Sequence, residues 1–201
     1  VSYNVKEIIA AMKKNADCGL LVFPEMCLCG YTCADLFAHD TLLEAVEEGL
    51  SEIADASEDI EGLTVVVGLP VRFENNLYNC AAYVSEGTIC ALVPKINIPT
   101  YSEFYESRWF MSGKEIEDTD IFFAHQEVPF GADILIEDPL TTAVIGTDIC
   151  EDAWVPDKPS THACLAGANI IVNSSASNEL IRKQDCRKNM VMMRSGECSY
   201  A

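Results

Sequence analysis

The sequence predicts an α/β domain with a largely buried sheet. Three observations favour this class. Amphipathic helical segments alternate with short, continuous apolar runs, a β-hairpin pattern lies in the middle of the chain, and 49% of the 201 residues are hydrophobic. Continuous apolar runs are typical of strands that are covered on both faces, and a chain of this length can bury one sizeable core.

The first half of the chain alternates helices and strands. Apolar residues at helical spacing predict an amphipathic helix over Val5–Ala16, and Leu20–Phe23 is a short apolar strand. Asp40 and Thr41 predict the cap of a second helix that ends near Ala56. The next predicted elements are a strand over Leu63–Pro70 and a hairpin of Tyr78–Val84 and Ile89–Val93 around Ser85–Thr88.

The second half begins with a proline-broken, aromatic segment, residues 94–106, which we predict to be a long functional loop. An apolar, β-branched run from Thr141 to Ile145 predicts a buried strand, and Gly146 predicts a tight turn that presents Cys150. The remaining predicted elements are short strands at Ile121–Phe123 and Ile134–Ile136, a helix over Pro159–Ala168, a strand over Asn169–Val172 and a long helix from Asn178 to Cys198.

The charge balance narrows the range of partners. Thirteen basic and 32 acidic residues give a formal net charge of −19, which repels phosphate backbones and anionic lipids. We therefore expect no nucleic-acid partner and no membrane partner. No apolar run approaches the roughly 20 residues of a membrane span, and no basic-then-apolar leader opens the chain, so we expect a cytoplasmic protein.

The ten cysteines are expected to be reduced. Small disulfide scaffolds lack a sizeable hydrophobic core, whereas this chain has the composition for one. Cys27, Cys29 and Cys33, with His39 beyond them, are residue types that bind zinc, but they lack the paired spacing of structural zinc sites. We therefore expect ordinary buried thiols here and no metal.

Three residues with chemical potential follow apolar runs. Glu25 comes after Phe23-Pro24, Lys95 after Val93-Pro94, and Cys150 after the predicted strand and turn. Burying a charge costs several kcal/mol unless it is paired, so charges at such places usually serve pairing or chemistry. Functional groups of α/β folds gather at the carboxyl ends of strands, and we expect Glu25, Lys95 and Cys150 to form one site.

These residue types together can hydrolyse an amide. Glu25 could take the thiol proton of Cys150 and pass it to a leaving amine. Lys95 and the backbone N–H after Cys150 would stabilise the oxyanion of a tetrahedral intermediate, so the expected reaction proceeds through a thioester. The alternative interpretation is an inert buried Cys150, a Glu25 that caps the next turn and a surface Lys95. Their joint occurrence at three strand ends favours the catalytic interpretation.

Several motifs resemble those of a known family. The sequence is similar to the nitrilase (carbon–nitrogen hydrolase) superfamily at Phe23-Pro24-Glu25 with Gly30-Tyr31, at Lys95-x3-Pro99, and at Asp148–Asp152. It resembles more narrowly the glutaminase domain of glutamine-dependent NAD synthetases at Gly30–Phe37, Phe104–Phe110 and Ser175–Glu179.

The resemblance implies a four-layer α-β-β-α sandwich, here a partial carbon–nitrogen hydrolase domain over residues 1–201 that lacks strands of the sandwich at both ends. It implies a catalytic triad of Glu25, Lys95 and Cys150, with Glu103 as a supporting second glutamate. It also implies a glutamine pocket lined by Tyr101, Glu151 and Ser177, with Lys183 near the substrate carboxylate. On the residues alone, Tyr101 could simply pack the loop and Ser177 could simply cap the last helix.

The same resemblance implies the partners. The substrate would be glutamine and the amidohydrolase reaction would need no cofactor. ATP and Mg would serve only an NAD synthetase domain, in cis or in trans, whose Ser-Gly-Gly-x-Asp-Ser loop does not occur in these 201 residues. We also expect a homo-oligomer. Two alternatives stand beside this interpretation: a stand-alone amidase of the same superfamily that acts on another small amide, and a non-catalytic binding or scaffold domain.

Overall fold

The computed structural model describes residues 1–199. Its helices are α1 (Ser2–Lys14), α2 (Asp40–Ser57), α3 (Pro159–Leu165) and α4 (Lys183–Cys198). Its strands are β1 (Leu20–Val22), β2 (Thr64–Phe73), β3 (Asn76–Ser85), β4 (Thr88–Pro94), β5 (Thr119–Phe123), β6 (Gln126–Phe130), β7 (Ile136–Glu137), β8 (Val144–Ile149) and β9 (Ile170–Ser174). They form a six-stranded sheet, in the order β1-β2-β3-β4-β6-β5, and a three-stranded sheet, β7-β8-β9. The predicted α/β class is confirmed.

The six-stranded sheet is buried on both faces. On β2, Val65 and Val67 belong to the same apolar cluster as the buried faces of α1 and α2. Val66, between them, points the other way and packs in a second cluster with Ile145 and Val172 of the three-stranded sheet. This alternation explains why the strand has a continuous apolar sequence, since each residue meets a dry surface.

The two sheets pack face to face, and helices lie outside them. Tyr83 of β3 and Thr147 of β8 share a buried hydrogen bond of 2.6 Å across the interface between the sheets. Helix α3 packs against the outer face of β8, where a Cβ on Gly146 would lie 2.6 Å from the Cβ of Ala163. The order helices, sheet, sheet, helix agrees with the layering that the family resemblance implies.

The predicted turn at Gly146 is wrong. Gly146 lies inside β8, paired with Ile171 of β9, and its missing side chain permits the close approach of α3. The turn comes at Cys150 itself, which has a φ of 49° and begins a short 3-10 turn over Cys150–Ala153.

The structure also contains one strand that was not predicted and one helix that begins later than predicted. Strand β6 was not predicted. It contains Pro129, which cannot donate to a sheet ladder, but its register with β4 is at Phe130, so this pairing does not need an N–H from Pro129. The last helix begins at Lys183 rather than near Asn178, because Arg182 has a left-handed φ of 67°. Ser177 therefore does not cap it. Within residues 1–199, no helix is both long enough and apolar enough to cross a membrane.

Candidate active site

The three predicted residues meet where their strands end. Glu25 follows β1, Lys95 follows β4 and Cys150 follows β8. All three are buried, with exposed fractions of 2%, 0% and 6%. Because β4 and β8 belong to different sheets, the site lies at one end of the interface between the two sheets.

Lys95 is surrounded by carboxylates. Its Nζ donates to Glu25 Oε1 at 2.7 Å and to both oxygens of Glu106, at 2.9 and 3.0 Å. Burial by itself lowers the pKa of an ammonium group, but the charges of Glu25 and Glu106 outweigh this effect and the pKa of Lys95 is raised. Lys95 is therefore a fixed positive charge at neutral pH.

The second glutamate in contact with Lys95 is Glu106, and the expectation that Glu103 takes this place is corrected. Glu103 is exposed, whereas Glu106 is 2% exposed and turned inward by the short 3-10 turn Glu106–Arg108. Tyr31 also donates to Glu106 Oε1. Burial raises the pKa of Glu106, and the Glu25 charge adds to the rise, while Lys95 opposes it.

Glu25 is held from both sheets. On the six-stranded side, Asn79 Nδ2 of β3 donates to Glu25 Oε1 at 2.7 Å. On the three-stranded side, the backbone N–H of Ala176, which follows β9, donates to Glu25 Oε2 at 2.9 Å. These bonds leave the carboxylate little freedom to rotate.

A carboxylate shapes the turn that carries Cys150. Asp152 Oδ2 accepts the N–H of Ile149 at 3.0 Å, and Asp152 Oδ1 accepts the backbone N–H and the side-chain amide of Asn97 at 2.7 and 2.8 Å. Burial raises the pKa of Asp152 to about 6. Asp152 thus joins the left-handed cysteine turn to the loop that follows Lys95.

The cysteine is a neutral thiol at rest. Burial and the charge of Glu25 raise the pKa of Cys150 to about 11, although the charge of Lys95 and a hydrogen bond with Ser175 oppose the rise. A thiol with this pKa needs a base to become a nucleophile. Glu25 is the buried carboxylate whose charge acts on it most strongly.

The predicted substrate residues lie in two places. Tyr101 donates its hydroxyl to Glu151 Oε2 at 2.8 Å. Because Tyr101 is 53% exposed and Glu151 follows Cys150 in the chain, this pair forms an accessible rim beside Cys150. Burial and the hydrogen bond with Glu151 raise the pKa of Tyr101 to about 12.

The second place lies near helix α4 and includes Ser177 and Lys183. Ser177 lines a cavity of about 260 Å³ between β9 and α4, together with Ser175, Trp154 and Arg187. Lys183 does not line this cavity; its Nζ donates to Asn178 Oδ1 and lies 5.6 Å from the centre of the Trp154 ring. Ser175 links this cavity to Cys150, because its side chain also lowers the pKa of the thiol.

Sequence reasoning missed Glu106, Asn79 and Asp152. Each is a buried polar side chain, but only Asp152 carried a signal in the sequence, as part of the acidic run after Cys150. Glu103 and Glu106 both lie in the proline-broken loop, and the family resemblance implied Glu103. Within residues 1–199, no group of three or more His, Cys, Asp or Glu side chains is arranged to hold a metal ion.

Comparison with known proteins gives consistent matches. The family model described as carbon-nitrogen hydrolase matches residues 3–198. A glutamine-dependent NAD(+) synthetase of Mycobacterium tuberculosis is 38% identical over 183 residues, which are 90% of this chain and 27% of that protein.

Solved structures agree with these matches. A glutamine-dependent NAD(+) synthetase from Cytophaga hutchinsonii superimposes with a TM-score of 0.80 at 33% identity, covering 94% of this chain and 30% of that one. An amidase from Nesterenkonia sp. shares the fold alone, with a TM-score of 0.71 at 16% identity over 99% of this chain and 67% of that one. The chain therefore spans less than a third of the length of the two NAD(+) synthetases.

Proposed function

The chain belongs to the carbon–nitrogen hydrolase family, and from this premise we propose that it is the glutaminase part of a glutamine-dependent NAD synthetase. The observation that carries the proposal is the buried cluster of Glu25, Lys95 and Glu106 beside a neutral Cys150 thiol. The similarity to the named NAD(+) synthetases supports glutamine as the amide.

The proposed reaction forms and then breaks a thioester. Cys150 Sγ attacks the side-chain amide carbon of glutamine while its proton passes to Glu25. The oxyanion that develops is stabilised by the charge of Lys95 and by a backbone N–H after Cys150. Glu25 returns the proton to the leaving nitrogen, and ammonia departs.

Water completes the cycle. Glu25 removes a proton from a water molecule that attacks the thioester carbonyl, and the thiol takes this proton back when glutamate leaves. Glu106 keeps Lys95 in place through this sequence, because it contacts the ammonium with both carboxylate oxygens.

The Tyr101–Glu151 pair is proposed to form the entrance of the glutamine pocket. Ser177 is proposed to bind the amino-acid end of the substrate, because it lines the cavity next to Ser175. Lys183 is not among the residues that line this cavity, and its Nζ donates to Asn178, so a role for Lys183 requires that its side chain reorients on binding.

We also propose a synthetase domain in the same polypeptide, since the NAD(+) synthetases that match are more than three times as long as the matched region. ATP and Mg would act in that domain and not at the residues described above. A cytoplasmic location and a homo-oligomeric state stay predictions.

The test is glutamine hydrolysis by the full-length protein, measured as ammonia and glutamate. We expect glutamine to be preferred over asparagine and simple aliphatic amides, and Cys150→Ala to abolish the reaction. Faster hydrolysis of another small amide would instead favour a stand-alone amidase.

A second measurement identifies the nucleophile. A diazo-ketone analogue of glutamine, used at stoichiometric dose and followed by mass spectrometry, should label Cys150 alone. Burial raises the pKa of Cys27 to about 11 as well, so selective labelling reflects the neighbouring base and not thiol acidity. Label spread over Cys27, Cys29 and Cys33 would contradict the proposal.

A further inference from the structure

Asn79 contacts every member of the charged cluster formed by Glu25, Lys95 and Glu106, and its side-chain contacts are not needed for strand pairing. Its side chain on β3 is fully buried. Its Nδ2 donates to Glu25 Oε1 at 2.7 Å and lies 3.5 Å from Glu106 Oε2, and its backbone carbonyl accepts the N–H of Lys95 at 2.8 Å. One residue therefore contacts all three members of the cluster.

The orientation of this amide follows from its surroundings. The reverse orientation would point Oδ1 at two carboxylates, which offer only acceptors when ionised. In the orientation found, Oδ1 is buried without a hydrogen-bond partner among residues 1–199. An unpaired buried acceptor is costly, so the contact of Nδ2 with the carboxylates outweighs this loss.

The cluster needs such a donor because its charges do not balance. Glu25 and Glu106 carry two negative charges when ionised, and Lys95 supplies one positive charge. Two carboxylates that share a site favour the uptake of a proton by one of them, and neutral donors that bond to the ionised form oppose this uptake. The titratable groups facing Glu25 are Lys95, Glu106, Tyr31 and Cys150.

We propose that Asn79 is a positioning residue that favours the ionised form of the Glu25–Glu106 carboxylate pair, both members of which it contacts, and leaves one oxygen of Glu25 free for the proton of Cys150. Glu25 Oε1 accepts two bonds, from Lys95 and from Asn79, which fill its two lone pairs. Among residues 1–199, Glu25 Oε2 accepts a single hydrogen bond, from the N–H of Ala176. The proton therefore moves to Oε2. This inference rests on the proposed function.

The test compares Asn79→Leu and Asn79→Asp with wild type in the full-length protein. Leucine has a similar size but no donor, and aspartate adds a third carboxyl. For both we expect kcat to fall by at least about tenfold while KM for glutamine changes by less than about threefold. The acidic limb of the kcat/KM profile should move to higher pH, because the Glu25–Glu106 carboxylate pair takes up a proton from solvent more readily without the donor.

Tyr83→Phe is the matched control. It also removes a buried hydrogen bond from β3, that with Thr147, but one that does not reach Glu25. We expect a loss of stability without a shift of the pH profile. If Asn79 served stability alone, its variants would behave as Tyr83→Phe does, and the proposal would be overturned.

A measurement that needs no glutamine turnover separates the proposed glutaminase function from the proposed role of Asn79. In Asn79→Leu, the Glu25–Glu106 carboxylate pair loses a donor to its ionised form and takes the Cys150 proton more readily at rest. The rate of Cys150 alkylation by chloroacetamide should therefore depend less steeply on pH than in wild type. An unchanged slope in both variants overturns the role of Asn79. Absence of glutamine hydrolysis in wild type, with a flattened slope in Asn79→Leu, would reject the proposed function and retain this role. Should the leucine variant fail to fold, the aspartate variant decides by the same measurements.

Discussion

At the scale of single residues, the proposed nucleophile is not one of the charged groups of the site, because the Cys150 thiol stays neutral beside them. Lys95 balances one of two buried carboxylates, and the remaining negative charge, together with burial, keeps the Cys150 proton in place. This differs from sites in which a neighbouring cation holds the cysteine as a thiolate. Cys150 is therefore activated only when Glu25 removes its proton during attack.

The first prediction concerns the thiol. Because burial and the Glu25 charge raise the pKa of Cys150 to about 11, alkylation of the substrate-free protein should speed up about tenfold per pH unit between roughly pH 7 and 10. Mass spectrometry that resolves Cys150 from the other thiols measures this rate. A plateau near neutral pH would show a thiolate paired with Lys95 instead.

A second prediction distinguishes the two candidate glutamates. Glu106→Gln removes the charge that holds Lys95 against Glu25, and we expect kcat to fall by at least about 100-fold. Glu103→Gln, its matched control in the same loop, changes an exposed side chain and should leave kcat within about twofold. Similar losses in both variants would show that contact with Lys95 does not matter.

These residues show how far sequence reasoning reaches. Glu25, Lys95 and Cys150 could be predicted because each follows an apolar run, so the strand end reveals the position. Glu106 could not, because its inward orientation comes from a 3-10 turn that has no marked sequence pattern. Asn79 lies within an ordinary strand pattern, and only the fold brings it to Glu25.

At the scale of elements, the site depends on a close approach between β2 and the segment after β1. Phe23 donates its N–H to Val66, and the chain then leaves the sheet as it carries Glu25 past Gly68. A Cβ on Gly68 would lie 2.2 Å from the backbone N of Met26 and 2.8 Å from the backbone of Glu25. Backbone atoms cannot yield as a side chain can, so this glycine fixes the position of the base.

The third prediction follows from this contact. Gly68→Ala should displace Glu25 and remove most glutaminase activity, together with a loss of unfolding free energy of about 2 kcal/mol or more. Gly19→Ala is the matched control, because a Cβ there meets nothing within 4 Å. Activity and thermal unfolding of both variants test the idea, and a fully active Gly68→Ala would contradict it.

Element boundaries were predicted least well where packing decides them. The strand before Cys150 was expected to stop at Gly146, since glycine commonly marks a turn. In the structure Gly146 continues β8 because α3 needs its empty side-chain position. A turn glycine and a packing glycine look alike in a single sequence, and only the position of α3 separates them.

At the scale of the whole molecule, several apolar surfaces within residues 1–199 face solvent. Helix α4 has no buried residue, and its exposed apolar side chains are Val191, Met192 and Met193, with Leu180 and Ile181 just before it. In the part of the chain that the structure describes, β1 is an edge strand paired only with β2, and β9 is an edge strand paired only with β8. Unpaired, apolar strand edges are templates for association with other chains.

The last prediction is that residues 1–201 expressed alone aggregate or form a molten state, whereas the full-length protein is monodisperse and active. Covering several hundred Å² of apolar surface is worth about 25 cal/mol per Å², which approaches the roughly 5–15 kcal/mol by which domains are stable. Size-exclusion chromatography and thermal unfolding of both proteins test this, with the double variant Val191→Lys and Met192→Lys of the fragment as a probe of the α4 surface. We expect the double variant to be more soluble than the fragment, because the two lysines add charge to that surface. A monodisperse fragment that unfolds in one sharp transition would mean that the two sheets close their core without further strands.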